Sequence, residues 1–179
     1  MAIPSVSHTP GNPNQLHPNK FTVAFSALPN IEYWAQSVNV PGISLGEAYR
    51  ATPFLDIYEP GDKLIFSPFS MTFIVDEDLR GWMEVYTWMR GLGFPAKFEE
   101  YQNLGKRLTA WAVPKPQFSD ATLTILDSKS NPNIRVKMTN CFPTSLTDIL
   151  MSSTVSPESP LTADVVFRYD IYEIEVLSH

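Results

Sequence analysis

Apolar and polar residues begin to alternate strictly at Lys20: Phe21, Val23 and Phe25 fall on one side, Thr22, Ala24 and Ser26 on the other. That is the period of a strand with one buried face. Pro29 and Asn30 then read as a turn, Tyr33 to Val40 as a second strand, and Pro41-Gly42 as its end. Tyr49 to Tyr58 has weaker strand character, interrupted by Pro53, and Pro60-Gly61-Asp62 reads as another turn. Leu64 to Phe66 and Phe69 to Val75 complete this run of strands, the latter with Phe69, Met71, Phe73 and Val75 in register.

The period changes at Asp76. Leu79, Trp82, Met83, Tyr86 and Met89 follow helical spacing, which predicts one packed helix over about 76–90 with that stripe facing the core. Asp76 suits its N-cap, Glu77 and Asp78 suit the positive end of its dipole, and Gly91 suits its stop. Residues 91–119 show no sustained period and contain Pro114 and Pro116, so they read as a long loop. Thr122 to Asp127 and Ile134 to Thr139 read as a hairpin with a polar tip at 128–133. The stretch 143–160 is rich in Ser, Thr and Pro around a brief apolar cluster of Leu146, Ile149 and Leu150. A last strand starts near Thr162. Val165, Phe167, Tyr169 and Ile171 share one face, Tyr172, Ile174 and Val176 the other, so the pattern slips near Asp170. Runs of strands with one helix predict a mainly β protein, an antiparallel sandwich or small barrel carrying that helix.

At 179 residues, with 44% hydrophobic and 12% aromatic residues, the chain has core material for one domain. Four prolines in residues 1–19 predict an extended arm ahead of a single domain at 20–179. No apolar run reaches the length of a membrane span. The first residues lack the pattern of a secretory signal, which places synthesis and assembly in a cytoplasm. A net charge of −6 argues against a surface built to neutralise phosphates.

Catalytic chemistry finds little support. His8, His17 and His179 lie at the ends of the chain, away from any nucleophile, and Cys141 is the sole cysteine. Asp76, Glu77 and Asp78 are explained as a helix start, and Gly91-Leu92-Gly93 lacks the third glycine and preceding strand of a dinucleotide loop. Trp82 and Tyr86 fit the core better than a stacking platform, and the pairs Lys106/Arg107 and Arg135/Lys137 fit rim contacts with another subunit. No catalytic, cofactor or metal residue is assigned. A different class, a carbohydrate-binding sandwich, would rest on Trp34 and Trp111.

Six segments carry a resemblance: Phe21–Phe25, Val40–Ile43, Pro60–Leu64, Phe73–Leu79 with the Trp-rich helix after it, Asn140–Leu146 and Ala163–Ile174. Together they resemble the tail tube family of contractile-tailed bacteriophages over about residues 20–176. The resemblance implies a β subunit that closes into hexameric rings, with sheets joined across subunits. Stacked rings would form the inner tail tube, through which DNA passes without specific binding. It also implies sheath and baseplate partners and a place in the virion tail. A tube initiator or baseplate hub ring of the same fold satisfies the same motifs. In such an assembly the loop 91–119 and the arm 1–19 are the expected ring-to-ring contacts.

Overall fold

The computed structural model describes residues 14–109, 117–154 and 160–177. Most of the predicted arm lies outside them, as does Trp111. Strands β1 (Phe21–Phe25), β6 (Ser119–Leu126), β7 (Pro132–Leu146), β8 (Thr162–Arg168), β5 (Phe69–Ile74) and β2 (Ala35–Val38) lie side by side in that order. β9 (Ile171–Val176) pairs with β7, and β3 (Ile43–Arg50) with β4 (Ile57–Phe66) forms a separate two-stranded sheet. All pairings are antiparallel.

β7 serves two sheets. Its first half pairs with β6 and β9, its second half with β8. Asn140 stands at the crossing with φ 55°, a left-handed conformation that asparagine tolerates better than most residues. The result is an open sandwich with a shared strand; no barrel closes. The chain makes a matching break between β8 and β9 at Tyr169 and Asp170, where the alternation in the sequence slips.

The inward side chains form one core. Phe25 and Phe167 have ring centroids 4.9 Å apart, and Phe69, Phe73, Met71, Met138 and Val165 fill the space around them. Helix α2 (Arg80–Gly93) covers this core with Val85 and Trp88. Helix α1 (Pro29–Trp34) buries Ile31 beside it.

Several elements depart from the sequence expectation. Tyr33 to Val40 is not one strand, because Pro29 opens α1 and only Ala35–Val38 is extended. Tyr49 to Tyr58 spans the tip of the β3–β4 hairpin, with residues 51–56 connecting the strands. Pro60-Gly61-Asp62 lies inside β4, where the register shifts between Leu45 and Glu47. A Cβ on Gly61 would come within 2.5 Å of the Gly46 carbonyl oxygen, so only glycine permits this bulge. The predicted loop 91–119 contains α3 (Glu99–Thr109), whose polar sequence hides a helical stripe. β7 runs on through Asn140 and Pro143 into the Ser/Thr/Pro-rich stretch, since Asn140 bends the strand without ending it.

The central helix starts later than predicted, and its buried side is rotated. Asp76 still acts at its start: its carboxylate accepts the amides of Arg80 (3.1 Å) and Gly81 (3.2 Å), while Leu79 occupies the capping position. Gly91 does not stop α2; it lies inside the helix against Leu104 of α3. The buried face consists of Gly81, Glu84, Val85, Trp88 and Gly91, leaving Met83 and Tyr86 exposed. Small residues set the contact here because they let neighbouring elements approach closely, and counting large apolar residues overlooks them.

Candidate assembly interface

The feature that stands out from the core is the β3–β4 hairpin. Its strands pair from Ile43↔Phe66 at the base to Arg50↔Ile57 near the tip. Alternation places Ile43, Leu45, Tyr49, Tyr58, Leu64 and Phe66 on one face, with Glu47 the charged residue among them. All of these except Phe66 are exposed as large apolar groups. Phe66 anchors the base, its ring 5.4 Å from Tyr172 and 6.2 Å from Tyr169. The opposite face carries Ser44, Ala48, Ile65 and the exposed Arg50–Glu59 ion pair.

The tip is ordered by its own hydrogen bonds. The Thr52 hydroxyl donates to the Leu55 carbonyl and accepts the Leu55 amide at 3.2 Å. Between them Phe54 points outward with 97% of its surface exposed. A two-stranded ribbon is marginal alone in water, and an exposed apolar face on a projecting ribbon marks an interaction site.

The two main sheets leave β1, β2 and β9 at their edges. β9 carries exposed Ile171, Ile174 and Val176. Of its two glutamates, Glu175 binds Lys137 at 2.7 Å and Arg135 at 3.7 Å across the β7–β9 pairing. Hydrogen bonding from Lys137 holds the Glu175 carboxyl below the ordinary glutamate range. Arg135 and Lys137 are thus paired within the chain while their side chains stay partly exposed.

A second apolar surface lies at the other side of the β8–β9 break. Leu92, Phe94, Phe98, Tyr101, Phe118 and Phe142 line an open cleft of about 630 Å³. Phe98 and Tyr101 stack with centroids 5.9 Å apart, and Phe118 meets Phe142 edge-on at 5.8 Å. Phe94 caps α2 with φ 32°, a left-handed setting that is strained for a side-chain-bearing residue, and its ring lines the cleft.

The residues weighed for chemistry are dispersed. Asp76 is occupied with the helix amides, and Asp78 pairs with Arg80 at 2.8 Å on the surface. Among the described residues no group of histidine, cysteine, aspartate and glutamate is placed to hold a metal ion. Cys141 is buried, and burial pushes its thiol up to about 12. Trp82 and Tyr86 stack at 5.3 Å, with the Trp82 indole N–H donating to the Thr147 carbonyl at 3.2 Å. Trp34 ends α1 and meets Tyr33 edge-on at 5.0 Å, which is not a flat platform for a sugar. The hairpin was missed from sequence because Pro53 and Pro60 read as breaks. The period-2 apolar set on both sides of residues 51–56 was the available signal.

The fold is that of tail-tube-like proteins. The resemblance to the tail tube family drawn from the sequence is upheld by similar proteins. The chain is 26% identical over 145 residues to the tail tube terminator protein of Enterobacteria phage T4, covering 79% of this chain and 76% of that protein. Its fold matches the tube-terminating cap of the anti-feeding prophage with a TM-score of 0.65 at 12% identity, over 98% of this chain and 100% of the cap. The sheath/tube terminator of an extracellular contractile injection system, PVC, matches with a TM-score of 0.62 at 14% identity, over 91% of this chain and 98% of that one. No protein-family model matches the chain.

Proposed function

We propose that this chain is a non-enzymatic structural subunit that forms the terminal ring of the inner tube in a contractile, phage-type tail. Residues 20–179 form the ring-building domain and residues 1–19 an arm toward neighbouring rings. Copies close into a hexameric ring by joining strand edges, so that edges exposed on a monomer are paired in the assembly. The ring seats on the tube within the sheath of a virion tail assembled in the host cytoplasm. DNA passes through the lumen without specific binding, a role that the net charge of −6 suits.

The observation that carries this reading is the projecting β3–β4 hairpin, whose apolar face lies open to solvent. The similarity to a tube terminator favours the end of the tube over its shaft, and it does not favour a carbohydrate-binding module or a hub ring.

Electron microscopy of the purified protein, alone and mixed with tube subunits, tests the proposal. Closed rings that bind one end of a tube and stop its growth are expected. Long tubes from the protein alone would make it the main tube subunit, and monomers at every concentration would overturn a ring altogether.

A further inference from the structure

The β3–β4 hairpin continues the β2–β5 pair beyond an interruption. β2 and β5 pair as far as Val38↔Met71, and pairing resumes at Ile43↔Phe66. On the core side Asn39 ties the two chains together. Its backbone amide donates to the Ser70 carbonyl at 3.2 Å, its side-chain amide donates to the Pro68 carbonyl at 3.0 Å, and its side-chain oxygen accepts the Ser70 amide at 2.6 Å. On the hairpin side the Ser67 amide donates to the Gly42 carbonyl at 2.9 Å. Between these two clamps lie Val40 and Pro41 on one chain and the Ser67–Pro68 link on the other. Proline fixes its own φ and restricts the residue before it, so few torsions are free there. Turning them swings the hairpin as a body, the geometry of a hinge. Among the described residues no other element packs broadly on β3 or β4 to oppose that swing.

Two contacts from the β8–β9 break do bear on the pivot. The Tyr169 hydroxyl donates to the Ser67 carbonyl at 2.7 Å. Phe66, the last residue of β4, sits against both Tyr169 and Tyr172, whose own rings are 6.0 Å apart. The post that carries the hydroxyl is itself fixed. The next residue, Asp170, donates its amide to the Thr139 carbonyl at 3.1 Å, and its carboxylate accepts the Asn140 side-chain amide. Burial pushes the Tyr169 phenol up to about 12, so at neutral pH the hydroxyl keeps its proton and stays a donor.

We propose that Tyr169 is a latch: its hydroxyl on Ser67 and its ring on Phe66 set the angle at which the β3–β4 hairpin leaves the core. Released, the hairpin pivots at residues 40–42 and 67–68 while the hairpin and the core each keep their own pairing. A latched hairpin is pre-organised, and only chains with the hairpin at the set angle are competent for a contact made through it. The consequence for ring closure rests on the ring reading; the latch itself stands on the geometry of one chain.

Nitroxide labels on Phe54→Cys at the tip and Ser128→Cys on the β6–β7 turn report the angle as a distance distribution from pulsed electron spin resonance. Cys141 is buried and does not take up label. The labelled protein is diluted into an excess of unlabelled protein, so that only distances within one chain are read. The parent should give a narrow distribution. Tyr169→Phe, which loses only the hydroxyl, should broaden it, and Tyr169→Ala should broaden it further at an unchanged far-ultraviolet circular dichroism spectrum. Tyr172→Phe, which keeps the ring packing, should match the parent. Tyr169→Phe should also raise the concentration needed for rings by about fivefold, as for loss of one hydrogen bond that selects the competent state. A distribution as narrow in both Tyr169 variants as in the parent would overturn the latch and leave the ring reading standing. Broadened distributions in a protein that never forms rings would uphold the latch and overturn the ring reading.

Discussion

The side-chain amide of Asn140 donates to the carboxylate of Asp170, tying the point where β7 crosses between sheets to the point where β8 gives way to β9. The Asp120 carboxylate accepts the Asn140 amide at 3.3 Å from a third strand. Asn140→Ala removes the side-chain bond and also places alanine at φ 55°. Together these should cost about 2 kcal/mol. Asn140→Gly loses the same bond but accepts the backbone, so it should cost less. Urea midpoints of the two variants check the order.

Gly91 is where α2 touches α3. A Cβ there would lie 2.9 Å from the Leu104 Cβ, a contact that side-chain rotation cannot relieve. In an open helix, Gly→Ala gains about 1 kcal/mol. Overpacking costs about 1–3 kcal/mol, so Gly91→Ala should destabilise the protein despite better helix propensity. Thermal unfolding of Gly91→Ala beside Gly93→Ala separates the effects, because nothing lies within 4 Å of a Cβ on Gly93.

Asp76 and Asp78 are close in sequence but unequal in effect. Asp76 takes two amides at the start of α2, so Asp76→Ala should cost about 1 kcal/mol. Asp78 forms an exposed ion pair with Arg80, and Asp78→Ala should change stability by a few tenths of a kcal/mol at most, about the range of such pairs. Denaturant titration of the two variants side by side decides it.

Alkaline pH should weaken the fold. Burial pushes the Cys141 thiol from an ordinary 9.0 and the Tyr169 phenol from 10.0, each up to about 12. Both groups stay protonated in the folded chain after the unfolded chain has begun to lose its protons. Their contribution is therefore complete below pH 9 and is lost as pH rises from about 9 to about 12. Cys141→Ala should flatten part of that decline in a stability profile against pH. In the wild-type protein the thiol should react with a disulfide reagent at pH 8 only after unfolding.

Assembly and stability should separate at the hairpin. Leu45 and Leu64 oppose each other on its exposed apolar face. Leu45→Asp/Leu64→Asp should leave the melting temperature nearly unchanged while abolishing rings, as read by light scattering and microscopy. A large fall in melting temperature would mean that the hairpin serves the monomer's own core.

The sequence was most legible where one face of an element is buried. β1, β5 and β8 alternate cleanly because their inward residues, such as Val23, Met71 and Val165, meet one core. The slip at Asp170 marked a real change of strand. Sequence reading failed where burial was not the local rule. β3 and β4 expose both faces, so Pro53 and Pro60 dominated the pattern and the exposed apolar face of the hairpin was overlooked. The rotation of α2 was hidden because Gly81 and Gly91, the residues of closest approach, carry no hydrophobic signal. The cleft arises only when α2, α3, the residues just before β6, β7 and the Asp170 break converge, and spacing along the chain does not encode that meeting.

Because β7 belongs to both sheets, the molecule has no seam along which one layer can slide over the other. A pull on the β9 edge reaches β8 and β5 through continuous backbone, and yielding requires breaking strand hydrogen bonds. In the ring proposed above, a subunit wired this way would pass a load on to its neighbours as rigid displacement.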